Sequence, residues 1–156
     1  MVLIDYKKKR DFKKTKEPIP LTKNSLRKNK EKFNLIYMIH EHHASHLHWD
    51  LRLEKEGILK SWAVPKTPPT TKEIKRLAIQ VEDHPIEYAK FQGIIPEGNY
   101  GAGKVEIWDK GNYNLIEENK NKIIIDINGK KLKGKYCLIK TDYGNNKNSW
   151  LFFKLE

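Results

Sequence analysis

The sequence holds a single cysteine, Cys137. One thiol excludes an internal disulfide and any cysteine-rich zinc site, and it leaves a reducing cytosol as the expected compartment. No apolar run approaches the ~18 residues of a membrane-spanning helix. The opening Met-Val-Leu-Ile gives way at once to charge, too short an apolar stretch for a secretory signal. Hydrophobic residues make up only 38% of the chain, against the ~45–50% common in globular domains. Four Trp, seven Tyr and five Phe compensate with large rings, so 156 residues can enclose one compact core. Acidic residues are also scarce: 20 Asp and Glu stand against 31 Lys and Arg, a formal charge of +11. Such an excess points to a polyanionic partner, nucleic acid before acidic membrane.

That charge is uneven. Residues 1–32 carry 12 Lys and Arg against 4 Asp and Glu, net +8, whereas residues 33–156 carry 19 against 16, net +3. The first segment, with Pro18 and Pro20 and little apolar periodicity, reads as an extended basic arm (1–32), expected to pack against the folded domain of residues 33–156. A second lysine cluster at Lys120, Lys122, Lys130, Lys131, Lys133 and Lys135 reads equally well as a solvated face.

Short strands dominate from residue 33 onward. The pattern predicts strands over 33–39, 47–53, 58–64, 77–81, 104–108, 123–127, 135–139 and 150–155, with turns at Glu54-Lys55-Glu56-Gly57, Asn128-Gly129 and Tyr143-Gly144. Strands so short and numerous imply a mainly β fold, an antiparallel barrel or sandwich. Helix has few places to form, the best being His84–Phe91, where Pro85 suits a first helical position. In such a helix His84 and Tyr88 would share a face.

Five of the six histidines fall within His40–His48. A strand over 46–54 puts His46, His48, Asp50, Arg52 and Glu54 on one face and Leu47, Trp49, Leu51 and Leu53 on the other. The apolar face fits a core. The polar face carries imidazoles, a carboxylate and a guanidinium where Lys, Thr and Ser are usual. Imidazole and carboxylate bind Mn²⁺, Fe²⁺ and Zn²⁺; His48 and Asp50 aim at one point, and His42 is the candidate third ligand. Arg52, one step along, offers a planar fork for phosphate or carboxylate.

The blocks His42-x5-His48-x-Asp50-x-Arg52, Leu59-Lys60-Ser61-Trp62-Ala63-Val64-Pro65-Lys66, Arg76-Leu77-Ala78, Val81-Glu82-Asp83-His84-Pro85-x-x-Tyr88 and Ile95-Pro96-Glu97-Gly98-x-Tyr100-Gly101-Ala102-Gly103 resemble the 3′-phosphoesterase domain of bacterial DNA ligase D. Arg10-Asp11-Phe12-x-x-Thr15-x-Glu17-Pro18 resembles that family's N-terminal element. The resemblance implies a compact antiparallel β-barrel with short helices and the site in its cleft. It implies a Mn²⁺-dependent enzyme that removes a 3′-terminal ribonucleoside by phosphodiesterase action and then the 3′-phosphate by phosphomonoesterase action. Its partners would be nucleic-acid 3′ ends, with ligase and polymerase as separate chains and no membrane. The family's metal ligands map onto His42, His48 and Asp50, and its phosphate contacts onto Arg52, His84 and Tyr88. Further residues it needs map onto Arg10, Asp11, Glu17 and Glu82, and onto Lys66 and Arg76. His40 stands where the family usually has Gln, and His43 where Asp is common.

In such an enzyme the metal is a Lewis acid on a phosphate oxygen. Arg52, protonated His84 and Tyr88 neutralise the equatorial oxygens, and His84 is a candidate general acid. Two other readings compete. A Fe²⁺ oxygenase would use His48, Asp50 and a distal His84, leaving His42 without a role. A basic barrel that only binds nucleic-acid ends would lose affinity steeply with salt. The glycine-rich segment 96–104 lacks a Gly-Lys-Ser/Thr ending and is read as a turn rather than a nucleotide-binding loop. Cys137, Trp62, Trp108 and Trp150 are assigned to the core.

Overall fold

The structure is a computed structural model that describes residues 3–20 and 32–156. Its strands are β1 (Leu35–His43), β2 (Leu47–Lys55), β3 (Ile58–Val64), β4 (Lys75–Pro85), β5 (Gly93–Ile95), β6 (Gly103–Asn119), β7 (Lys122–Asn128), β8 (Lys133–Lys140) and β9 (Ser149–Lys154). Every pairing is antiparallel. The order β1-β2-β3-β4-β9-β8-β7-β6 returns to β1 through the β1–β6 pairing, which closes an eight-stranded barrel; β5 adds only to the start of β6.

Period-two alternation fills the interior. Tyr37 and Ile39 of β1, Leu51 and Leu53 of β2, Trp62 and Val64 of β3, Ile125 and Ile127 of β7, Tyr136 and Leu138 of β8, and Trp150 and Phe152 of β9 belong to one buried cluster. Trp62 meets Trp150 edge-on at 6.1 Å between ring centroids, and Tyr136 stacks on Phe152 at 5.2 Å, so large rings fill much of the interior. Asp109 is the main polar exception. It accepts from the Tyr37 hydroxyl and from the backbone N–H groups of Lys130, Lys131 and Leu132, tying the β7–β8 turn to β6. Glu56 and Gly57, both at positive φ, make the two-residue β2–β3 turn.

Several elements differ from the pattern read in the sequence. β6 runs 17 residues, far beyond Trp108, because β1 holds it as far as Tyr113 and β7 takes over from Asn112 to Asn119, although its sequence is polar. β5 was not predicted. The turn after β4 is a short 3₁₀ segment, Ile86–Lys90, and His84 and Pro85 still belong to the strand. The basic arm is not wholly extended: Ile4–Lys8 forms a helix, α1. Leu3 and Tyr6 pack with Ile58, Leu59, Ile86, Tyr88 and Phe91 in a second cluster, outside the barrel wall. The remainder of the arm, residues 21–31, lies outside the described residues. The second lysine cluster follows the β7–β8 hairpin, where Lys122 pairs with Glu117 and Lys135 with Glu156. Cys137, Trp62 and Trp150 are buried as expected, and Trp108 is half-buried under Lys131. No helix among the described residues is long and apolar enough to cross a membrane.

Candidate metal and phosphate site

Because β1 and β2 send alternate residues outward, the histidine-rich segment builds a wall of polar side chains on the barrel's outer face. His42 lies opposite His48 and His40 opposite Asp50; from β3, Ala63 lies opposite Asp50 and Ser61 opposite Arg52. The resulting cleft is on the outer wall, not in the barrel interior. The arm and the 86–90 turn cover it, so Asp50, Arg52 and His84 are all buried.

His42, His48 and Asp50 bring one ligand atom each within 4.8 Å of one another. His42 Nδ1 is 3.6 Å and His48 Nε2 3.2 Å from the Asp50 carboxylate. The other nitrogen of each ring is fixed by a carbonyl: His42 Nε2–H donates to Gly101 at 2.7 Å, and His48 Nδ1–H to His46 at 3.1 Å. Carbonyls only accept, so these bonds aim His42 Nδ1 and His48 Nε2 at Asp50, the second-layer arrangement usual for metal-binding imidazoles. Burial alone would raise the Asp50 pKa. Arg52, with His42 and His48 beside the carboxylate, outweighs it and holds the carboxyl well below the usual range. Burial would lower the His48 pKa, but the bond to Asp50 prevails and raises it. The set fits a divalent cation that takes imidazole and carboxylate.

Arg52 is held at three points. Its Nε donates to His40 Nδ1 at 3.1 Å, Nη1 to Ser61 Oγ at 2.8 Å, and Nη2 lies 3.5 Å from Asp50 Oδ2. His84 stands beside it between two guanidiniums. Its Nδ1–H donates to the Glu82 carbonyl at 2.9 Å, and its Nε2 accepts from Arg10 at 3.3 Å. Burial, Arg52 and Arg10 all push its pKa well below the ordinary value, so the ring is neutral.

The arm closes the cleft through Arg10, whose Nε donates to Glu17 at 2.8 Å and whose Nη1 donates to Glu82 at 3.2 Å. Its guanidinium lies over the Tyr6 ring at 4.1 Å. Tyr88 donates its hydroxyl to Glu17 at 2.6 Å. Burial and then Glu17 raise its pKa well above the ordinary value, against Arg52, so it stays protonated. Together these groups line a pocket of about 250 Å³ that includes His42, His48, Asp50, Arg52, His84 and Arg10. A larger pocket of about 370 Å³ opens elsewhere, between Leu35, Leu53, Trp62 and Tyr113, away from these groups.

The DNA ligase D 3′-phosphoesterase domain profile matches residues 40–140. The chain belongs to that family. It is 42% identical over 160 residues to the multifunctional non-homologous end joining protein LigD of Pseudomonas aeruginosa, covering 99% of this chain and 18% of the relative. It is 42% identical over 158 residues to the multifunctional non-homologous end joining DNA repair protein LigD of Mycobacterium tuberculosis (strain H37Rv), and 42% over 167 residues to its Mycolicibacterium smegmatis counterpart, each covering 99% of this chain and 20% of the relative. The chain thus spans about a fifth of the length of these relatives.

Within this 3′-phosphoesterase domain, His42, His48, Asp50, Arg52, His84, Tyr88, Arg10 and Glu82 meet in one pocket, with Glu17 directly behind it. Three residues named from the resemblance do not join them. Asp11 is exposed and accepts from the Lys13 backbone N–H in a local turn. Lys66 and Arg76 line a separate groove with Lys75 and Tyr143, and Arg76 Nε donates to the Thr67 carbonyl. His84 is no partner of Tyr88 on a helix; the 3₁₀ turn nevertheless brings their rings to 4.6 Å. In this arrangement the one proton of the neutral ring sits on Nδ1, facing the Glu82 carbonyl. The distal histidine of the oxygenase reading faces Arg10, and His42 takes the place beside Asp50. Neither departing histidine joins the triad: His40 sits behind Arg52, and His43 faces the other way, 2.8 Å from Glu41. Sequence reasoning missed His40, Ser61 and Gly101 as site residues. Cross-strand pairing and loop return place them, and the one available signal was the outward parity shared by His40 and His42.

Proposed function

We propose that this chain is a divalent-metal-dependent phosphoesterase of nucleic-acid 3′ ends, acting in non-homologous end joining. It removes a 3′-terminal ribonucleoside and then the 3′-phosphate, leaving a 3′-hydroxyl. The observation that carries this reading is the pairing of a His42–His48–Asp50 ligand set with Arg52 in one buried pocket, in a chain of the 3′-phosphoesterase family. The fit of the ligand set supports Mn²⁺, and equally another divalent transition ion.

Arg10, Arg52 and Lys9, which pairs with Glu82 at 3.0 Å, carry three positive charges against three carboxylates, Asp50, Glu17 and Glu82, a net of zero within the network. A divalent cation changes that to +2, which suits a phosphate. When bound, the cation polarises a phosphate oxygen and lowers the pKa of a coordinated water. Arg52 grips the phosphate with its two remaining N–H groups, and Arg10, held by two carboxylates, supplies the second positive wall of the pocket. His84 acts as a neutral acceptor that keeps Arg10 in place, and Tyr88, committed to Glu17, fixes the arm.

The test is a primer-template ending in one 3′ ribonucleotide, incubated with and without Mn²⁺. Release of a nucleoside followed by phosphate is expected only with metal. An inert protein on both the 3′-ribonucleoside and the 3′-phosphate end defeats the reading and leaves the end-binding barrel in its place.

A further inference from the structure

We propose that His40 is the positioning residue for Arg52, holding the guanidinium in register with the 86–90 turn as a neutral Nε2–H imidazole. This rests on the phosphoesterase reading, because phosphate is the ligand assigned to Arg52.

His40 is fully buried on the outer face of β1. Its Nε2 is 2.8 Å from the Phe91 carbonyl and its Nδ1 is 3.1 Å from Arg52 Nε. The carbonyl can only accept and the guanidinium can only donate, so a single tautomer satisfies both, and a flipped ring satisfies neither. His40 therefore cannot serve as a third imidazole for the metal: both its nitrogens are committed, one of them to a cation. With Nε held by His40, Nη1 by Ser61 and Nη2 beside Asp50, the guanidinium plane is fixed at three points. One N–H remains on each terminal nitrogen.

The imidazole also joins two separate pieces of the site. Phe91 ends the turn that carries Tyr88, and the Arg52 guanidinium carbon lies 4.8 Å over the Tyr88 ring. A displaced Arg52 would lose both its aim and this stacking. A glutamine, with one donor and one acceptor on its amide, can make the same two bonds; leucine fills similar space and makes neither.

The experiment compares wild type, His40→Leu, His40→Gln, Arg52→Ala and the His40→Leu/Arg52→Ala double variant on a 3′-phosphate DNA end. We expect His40→Leu to lower kcat/KM by about 10- to 100-fold while Mn²⁺ affinity stays within a few-fold of wild type. His40→Gln should recover most of that loss, and His40→Leu should add nothing in the Arg52→Ala background, because its effect passes through Arg52. A fully active His40→Leu protein, a glutamine no better than leucine, or additive losses in the double variant overturns the proposal. A readout independent of turnover is long-range ¹H–¹⁵N spectroscopy. It should show His40 as the Nε2–H tautomer and a slowly exchanging Arg52 Nε–H that disappears in His40→Leu. An Nδ1–H or doubly protonated His40 overturns the proposal even in an active enzyme. Inert wild type with the expected spectra defeats the phosphoesterase reading and supports the positioning geometry.

Discussion

The two faces of the β1–β2 wall are made by the same nine-residue strands and obey opposite physics. Inward, Ile39, Leu51 and Leu53 contribute burial without direction, and neighbouring rings settle into edge-on or stacked contacts. Outward, His40, His42, Asp50 and Arg52 are nearly as dry but directional: nearly every nitrogen and oxygen has a named partner, and charges of both signs sit side by side. The inner face tolerates changes of shape that keep volume. The outer face tolerates no unpaired member, because removing one partner strands a charge away from water.

The sharpest way to separate the faces is to remove a ligand from one and a ring from the other. His48→Ala should abolish turnover and metal binding while DNA affinity stays within a few-fold and the barrel still folds; activity in that variant, assayed with added Mn²⁺, would break the assignment. Phe152→Ala should do the reverse, lowering stability by about 3–5 kcal/mol in denaturant unfolding while kcat of the folded fraction persists. Arg10→Ala joins the two behaviours, since it leaves Glu17 and Glu82 without their buried guanidinium. A stability loss of about 3 kcal/mol together with a clear drop in kcat is expected. Full activity with reduced DNA affinity would return the arm to a purely electrostatic role.

Acid should attack the outer face first. The His40 pKa is lowered to about 3, chiefly by burial and then by Arg52, and that of His84 lies well below its ordinary value. Both rings bind protons more readily when unfolded, so stability falls as pH drops below about 6.5, by up to about 1.4 kcal/mol per pH unit for each ring. Asp50, whose pKa is depressed, adds a further loss only as pH falls below the ordinary carboxylate range. Thermal melts from pH 7 to 4 should show the slope, and His40→Gln should flatten it. The mildest test is Gly101→Ala. Gly101 has φ of +73°, and an added Cβ would lie 3.3 Å from His42 Cε1, so the carbonyl that aims His42 must shift. Metal affinity should fall by about 10-fold with little change in melting; unchanged affinity would make the Gly101 bond ornamental.

How much of this was readable in the sequence follows the same division. β2 and β3 were plain because Leu, Trp and Val alternate with polar residues, and the clustering of His42, His48 and Asp50 was plain because two of the three share one short strand. β6 was half hidden, since Asp109-Lys110-Gly111-Asn112 has no apolar alternation and is held by its neighbours' ladders. Gly111 is needed there because a Cβ would strike the Asn128 carbonyl. Arg10, Glu17 and Glu82, far apart in sequence, were reached through resemblance alone. Ser61 and His40 become site residues only through strand register, which no local pattern encodes, and the groove that takes Lys66 and Arg76 away from the pocket is equally invisible.

Closure of the barrel has one more consequence. An open sheet offers a row of unpaired N–H and C=O groups on which another chain can template itself. Here the ring closes on itself through the β1–β6 pairing, and β5, the strand added outside the ring, is three residues long. A unit that satisfies its own ladders needs no strand lent by a neighbour. In relatives where this domain fills only a fifth of a longer polypeptide, it can be tethered by its ends alone, and it can be crowded at high concentration with little risk of edge-to-edge aggregation.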